Sequence, residues 1–164
     1  MTLSPAPSLR IAVELIDDEP LDDASAGSAP VWHELTSAPR EAAPPRRIRV
    51  DSLGEAQSST SRSDDVVFVD VDVLLADSVG AALARYRASN PGWRPGATDT
   101  GLVHPGTARS LAGLLWDIWA AQVADGVTLR LRSDDHGSLE RLEAVTALLA
   151  ARGVEFPAAE VLSA

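Results

Sequence analysis

Alternation of apolar and polar positions is clearest in "VVFVDVDVLL", residues 66–75, which predicts a strand. Val67, Val69, Val71 and Val73 share one of its faces, and Phe68, Asp70 and Asp72 share the other. Three further runs predict strands: "LRIAVEL" at 9–15, "RRIRV" at 46–50 and "GVTLRLR" at 126–132. Helical spacing takes over between them. Ser78 is placed to cap a helix over 79–89, which stops before Asn90-Pro91-Gly92. Over 107–122, Leu111, Leu114, Leu115 and Ile118 fall on one face behind Thr107, a candidate cap. A last helix, at about 138–151, gathers Leu139, Leu142, Val145, Leu148 and Leu149 before Gly153 ends it.

The remaining segments read as connections. Residues 1–8 form a disordered leader, and 16–30 an acidic loop rich in Pro, Gly and Ser. A helix can start at Val31, but Pro39 limits it to about two turns within 31–43. The polar stretch 51–65 reads as a flexible loop, and "NPGWRPGATDTGLVHPG", 90–106, as another loop. From residue 66 the order is strand, helix, loop, helix, strand, helix, which predicts parallel strands with helical crossovers in one α/β domain over 9–164. Four strands are countable. A closed eight-stranded barrel needs at least ~200 residues, more than the 164 present.

Composition narrows the function classes. All 14 basic residues are Arg, and 24 acidic residues bring the net charge to −10. Nucleic acid and anionic membranes are thereby disfavoured as partners, because both need a cationic face. Without Cys there is neither a thiolate nucleophile nor a zinc–sulfur site. No segment reaches the ~20 apolar residues of a membrane span, and the first residues lack a signal-peptide pattern, so the expectation is cytoplasmic. A chain without Lys and rich in Ala, Arg, Asp, Val and Leu is what a high-GC bacterial genome encodes.

"GTARSLAGLLWDIWAAQVADGVTLRL", 106–131, resembles the C-terminal unit of the bacterial luciferase-like flavin monooxygenases. Gly106, Thr107, Leu111, Ala112, Leu114, Leu115, Asp117, Asp125, Gly126, Leu129 and Arg130 match that unit in step, whereas Ala108, Gln122 and Val127 depart from it. "LRIAVEL" is similar to the family's first strand. "VDSLGEAQSS", 50–59, is similar to the end of the second strand in relatives of the nitrilotriacetate-monooxygenase type, with Gln57 in step only after one inserted residue. The resemblance implies a partial (β/α) barrel of the TIM type, about four parallel strands covered by helices, from which the middle units are missing. Early and late units would then be joined near residue 60, with the last strand beside the first.

The same resemblance implies FMN or a deazaflavin at the C-terminal ends of the strands, although much of the family's phosphate binding comes from units absent here. Asp51 and Ser52 stand where the family places residues near the isoalloxazine ring; the other reading is a strand-end turn in which Asp and Ser bond their own backbone. Gly106 and Thr107 could offer backbone N–H groups to a phosphate or simply cap a helix. Arg130 and Arg132 could hold an anion or pair with the surplus carboxylates. His136 follows Asp134 and Asp135 and is a candidate general base or solvated turn residue, with no second His at metal-ligand spacing. Two functions remain open: a degenerate, non-catalytic relative without cofactor that associates with itself or with a flavoprotein, and a flavin-dependent oxidoreductase built from two half-barrels. Trp116 and Trp119 cannot both lie in the Leu111–Leu115 stripe, so one of them is expected to face a partner. Trp119→Ala should therefore disperse an oligomer on a sizing column, and an unaltered elution volume would reject that interface.

Overall fold

The computed structural model describes residues 9–17, 31–37, 43–97 and 101–157. Its elements are β1 (Arg10–Ile16), β2 (Trp32–Glu34), β3 (Arg46–Ile48), α1 (Leu53–Ser61), β4 (Val67–Leu75), α2 (Val79–Ser89), β5 (Leu102–Gly106), α3 (Ala108–Ala120), β6 (Gly126–Arg132) and α4 (His136–Ala150). From β3 onward every strand is followed by a helix. Among the described residues the strands form one curled half-barrel sheet in the order β2-β1-β6-β4-β3, with β5 also on β4. Only β2 runs antiparallel to its neighbour. The first strand lies beside the last along its whole length, Arg10 opposite Gly126 through Ile16 opposite Arg132.

β3 and β5 divide one edge of β4. Arg46–Ile48 align with Val67–Val69, and Leu102–Gly106 with Val71–Leu75. The chain therefore moves one way across the sheet from β3 to β4, back to β5, and forward again over β4 to β6. Right-handed crossovers in opposite directions place their helices on opposite faces. The core follows that rule. Ala56 of α1, Leu111 and Leu115 of α3, and Leu142 and Leu149 of α4 pack on Val69, Val71, Val127 and Leu129, whereas Ala82 and Tyr86 of α2 pack separately on Leu74 and Ala76.

Sequence patterning located β1, β3, β4, β6 and the last three helices to within two residues, including the caps Ser78 and Thr107. Three segments differ. Residues 53–61, expected as a flexible loop, form α1, because Ser52 accepts a bond from Glu55 N at 3.2 Å and buried Ala56 anchors the turn. The Thr60 hydroxyl and Gln57 amide then bond the carbonyls of Val123 and Ala121, beyond the end of α3. The helix expected from Val31 is instead strand β2, which pairs its residues 32–34 with 12–14 of β1. β5 arises within the predicted 90–106 loop; Pro105 is tolerated there because only one side of the strand is paired. The predicted leader 1–8, most of the acidic loop (18–30) and residues 38–42 lie outside the described residues. Among the described residues no helix is long and apolar enough to cross a membrane.

Gly126 fits the sheet for want of a side chain. A Cβ there would fall 2.6 Å from Cζ of the fully buried Phe68 ring, which lies across the β4–β6 pair. Gly113, in the middle of α3, has nothing within 4 Å of the same position. Gly126→Ala should destabilise the fold by roughly 1–3 kcal/mol through overpacking. Gly113→Ala should stabilise it by about 0.5–1 kcal/mol by removing helix-interior flexibility. Thermal unfolding of both variants checks the pair of signs.

Candidate functional site

The sheet face opposite α1, α3 and α4 carries charge where a half-buried sheet normally carries apolar side chains. Strand alternation and register account for the placement. Glu14 of β1, Arg130 of β6 and Asp72 of β4 stand directly opposite one another across three strands. One row toward the strand starts come Thr128 and Asp70, and Arg47 of β3 stands opposite Phe68 in the next row.

These groups form a closed ladder. Arg47 donates two bonds to Glu14, both 2.8 Å, and two to Asp70, at 3.1 and 2.9 Å. Arg130 donates from Nε to Glu14 at 3.0 Å and from Nη1 to Asp72 at 2.8 Å. Arg49, just beyond β3, closes on Asp72 at 3.2 and 2.7 Å. Three guanidiniums thus face three carboxylates. In a flat sheet β3 and β1 would lie about 14 Å apart, three strand spacings, which an Arg side chain does not span. The Arg47–Glu14 contact therefore requires a curled sheet, with this face on the concave side.

Burial makes the pairing obligatory. The Glu14 and Asp70 side chains are only 7% and 11% exposed. Hydrogen bonds from Arg47 hold the Glu14 carboxyl below its ordinary range against the effect of burial, with the fields of Arg47 and Arg49 adding to them. Asp72 goes the other way: burial pushes it up more than Arg49 pulls it down, and the carboxylates of Asp70 and Glu14 add to the rise. The Glu14 and Asp70 bonds raise Arg47 well above its usual value. Toward the strand starts the face becomes aromatic. Trp32 donates to Thr128 Oγ1 at 3.2 Å, its ring 6.0 Å from Phe68, and Arg10 lies over the Phe68 ring while binding Glu34 with two 2.8 Å bonds.

At the C-terminal ends of β1, β4 and β6, a cleft of about 170 Å³ opens between this face and the C-terminal half of α2. Asp72, Arg130 and Arg132 line it from the sheet, Tyr86 and Asn90 from the helix end, and Asp135 from the loop after β6. Asp135 caps α4 and binds Arg85 at 2.8 Å.

Of the residues singled out from sequence, Arg130 lies at the centre of the ladder and at the cleft. Asp51 is exposed, its Oδ1 accepting from Gly101 N at 2.9 Å, and Ser52 caps α1. Gly106 ends β5 and is crowded by His104, whose Nε2 would lie 2.6 Å from an added Cβ. Thr107 and Ser110 form a reciprocal capping box on α3. His136 is the exposed first residue of α4. Arg130 and Arg132 do pair with carboxylates, the latter with Asp134 at 3.0 Å. Asp70 and Asp72, which strand alternation places on one face with Phe68, are the ladder's central acids. Glu14, Arg47 and Arg49 were missed. Their signal was complementary charge at period two, in "VEL", "RRIR" and "VDVDV", but pairing requires the strand order. Trp116 and Trp119 stack on each other, centroids 4.8 Å apart, against the convex-face core, and Arg152 lies over Trp116.

His104 Nε2 sits 3.0 Å from Ser110 Oγ, and burial lowers its pKa, leaving a neutral imidazole near pH 7. That Ser110 hydroxyl already accepts from Thr107 N and donates to Thr107 O, so it serves the cap. Among the described residues no group of three or more His, Cys, Asp or Glu is placed to hold a metal ion. A scan against protein-family models found no match, and neither did a search of the curated proteins.

Because Glu14 has a lowered folded-state pKa, its contribution to stability is complete above its ordinary value of 4.5 and disappears as pH falls through the folded value. Glu14→Gln leaves Arg47 with Asp70 and Arg130 with Asp72 as their remaining carboxylate partners, so it should cost roughly 1–3 kcal/mol at neutral pH. It should also flatten the loss of stability below pH 4.5. Urea unfolding of both proteins between neutral and acid pH measures the difference.

Proposed function

We propose that the chain is an internally shortened, non-catalytic relative of the luciferase-like flavin monooxygenases, a partial barrel of the TIM type that acts by association with itself or with a full-length flavoprotein. The charged ladder carries this reading. A barrel enzyme keeps polar groups free at the strand ends for its cofactor and substrate; here Arg47, Arg49 and Arg130 are committed to Glu14, Asp70 and Asp72. The adjacent cleft, at about 170 Å³, is below the ~300 Å³ at which pockets for drug-sized ligands begin, and a flavin with its ribityl phosphate is larger than such a site accepts.

Descent from a closed barrel is supported by β1 lying beside β6, the neighbour relation that first and last barrel strands have. Association is supported by the open sheet: among the described residues β2 ends the sheet on one side, and β3 and β5 end it on the other. Such strand edges invite pairing with another chain. The expected result of an FMN titration followed by flavin fluorescence is no saturable binding at micromolar concentration, with light scattering on the same sample giving a mass above the 17.2 kDa of one chain. Saturable binding by a dimer would overturn the non-catalytic reading in favour of a flavin-dependent oxidoreductase of two half-barrels, with Asp51 and Ser52 as the first positions to test.

A further inference from the structure

The two edges of the sheet differ in how they receive another strand. On the β3–β5 side, Pro44 and Pro45 lead into β3, Arg46 is exposed, and Pro105 interrupts β5. Proline removes backbone donors, and a charged side chain on an edge opposes a like charge brought against it, so this edge is guarded. β2 carries no Pro, and its one charged residue, Glu34, is held by Arg10 through two 2.8 Å bonds. The edge is thus formally neutral in a chain of net charge −10. Leu35 N donates to Ile11 O at 2.8 Å, which fixes the phase of the antiparallel β1–β2 ladder. The main-chain groups of His33 and Leu35 therefore point to β1, and those of Trp32 and Glu34 point out of the sheet. Among the described residues no further strand pairs with β2.

A second copy that meets this edge about a two-fold axis runs antiparallel to it, and the contact closes on itself as a dimer. Bonds form only in registers that set outward-pointing residues against each other. One such register places Trp32 opposite the second copy's Glu34, with His33 opposite His33 on the axis. It uses both outward residues of each strand and keeps the two Glu34 carboxylates from facing each other. It also lays Val31, which is 65% exposed, opposite the second copy's Leu35. Building on the self-association proposed above, we infer that the chain forms a two-fold dimer through β2, so that β1 and β2 of both copies make one continuous sheet. The two exposed His33 residues then form a pair without backbone bonds between them, their Cα atoms about 4.5 Å apart. That spacing lies within the ~4.4–6.8 Å that a disulfide spans.

Because the chain contains no Cys, His33→Cys introduces a single thiol. Under mild oxidation this variant should form a disulfide-linked dimer at least about tenfold faster than Ala88→Cys, an exposed control on α2, since the dimer raises the local thiol concentration only at the axis. His33→Glu sets two carboxylates against each other, so light scattering should show the mass fall from about twice 17.2 kDa to 17.2 kDa, with circular dichroism unchanged. An equimolar mixture of His33→Glu and His33→Lys should recover the dimer mass. Wild-type protein with the mass of one chain would overturn the self-association reading and the β2 dimer together. A wild-type dimer that persists in His33→Glu, as it would if Trp119 carried the contact, or a His33→Cys protein that links no faster than the control, would overturn the β2 dimer alone. None of these outcomes depends on whether FMN binds.

Discussion

Glu14 sits at the centre of this molecule's organisation: a carboxylate 7% exposed, held by three charge-assisted hydrogen bonds in a row of ions that crosses the sheet. An unpaired buried carboxylate costs several kcal/mol, so the strands that bring guanidiniums to Glu14 must adopt their observed order and curvature. Arg130 reaches it from the neighbouring strand. Arg47 reaches it from three strands away, which only a curled sheet permits. Concavity, strand order and charge neutralisation are thus one constraint seen from three sides.

That constraint organises the two faces differently. On the convex face, Val69, Val71, Val127 and Leu129 meet α1, α3 and α4 in a conventional apolar core, which supplies most of the driving force for folding. Reversal of the chain at β5 sends α2 to the other side, over Leu74 and Ala76. Had every crossover run in one direction, all helices would lie outside the curl, as in a closed barrel, and no cleft would form between α2 and the ladder. The cleft is therefore a product of topology, and its lining charges are the ladder's last rung.

Local rules located the elements with strong patterns. β4 shows period two over nine residues, and α3 and α4 carry apolar stripes with caps at Thr107 and Gly153. The failures share a cause. α1 has one buried residue and no apolar face, β2 and β5 are short edge strands, and Pro105 argues locally against a strand. All three depend on partners remote in sequence, such as Val123 for Thr60 and Leu74 for Pro105.

For the site the division is sharper. The sequence by itself determined that Glu14, Arg47, Asp70, Asp72 and Arg130 are polar members of alternating strands, since side-chain direction follows from the two-residue repeat. It also determined that acids exceed bases and that every base is a guanidinium able to bond two carboxylates at once. Which acid meets which base was decided by tertiary structure alone. Pairing across strands depends on order and register, and those were set by right-handed crossovers, by Phe68 lying over Gly126, and by a curvature that brings β3 within reach of β1.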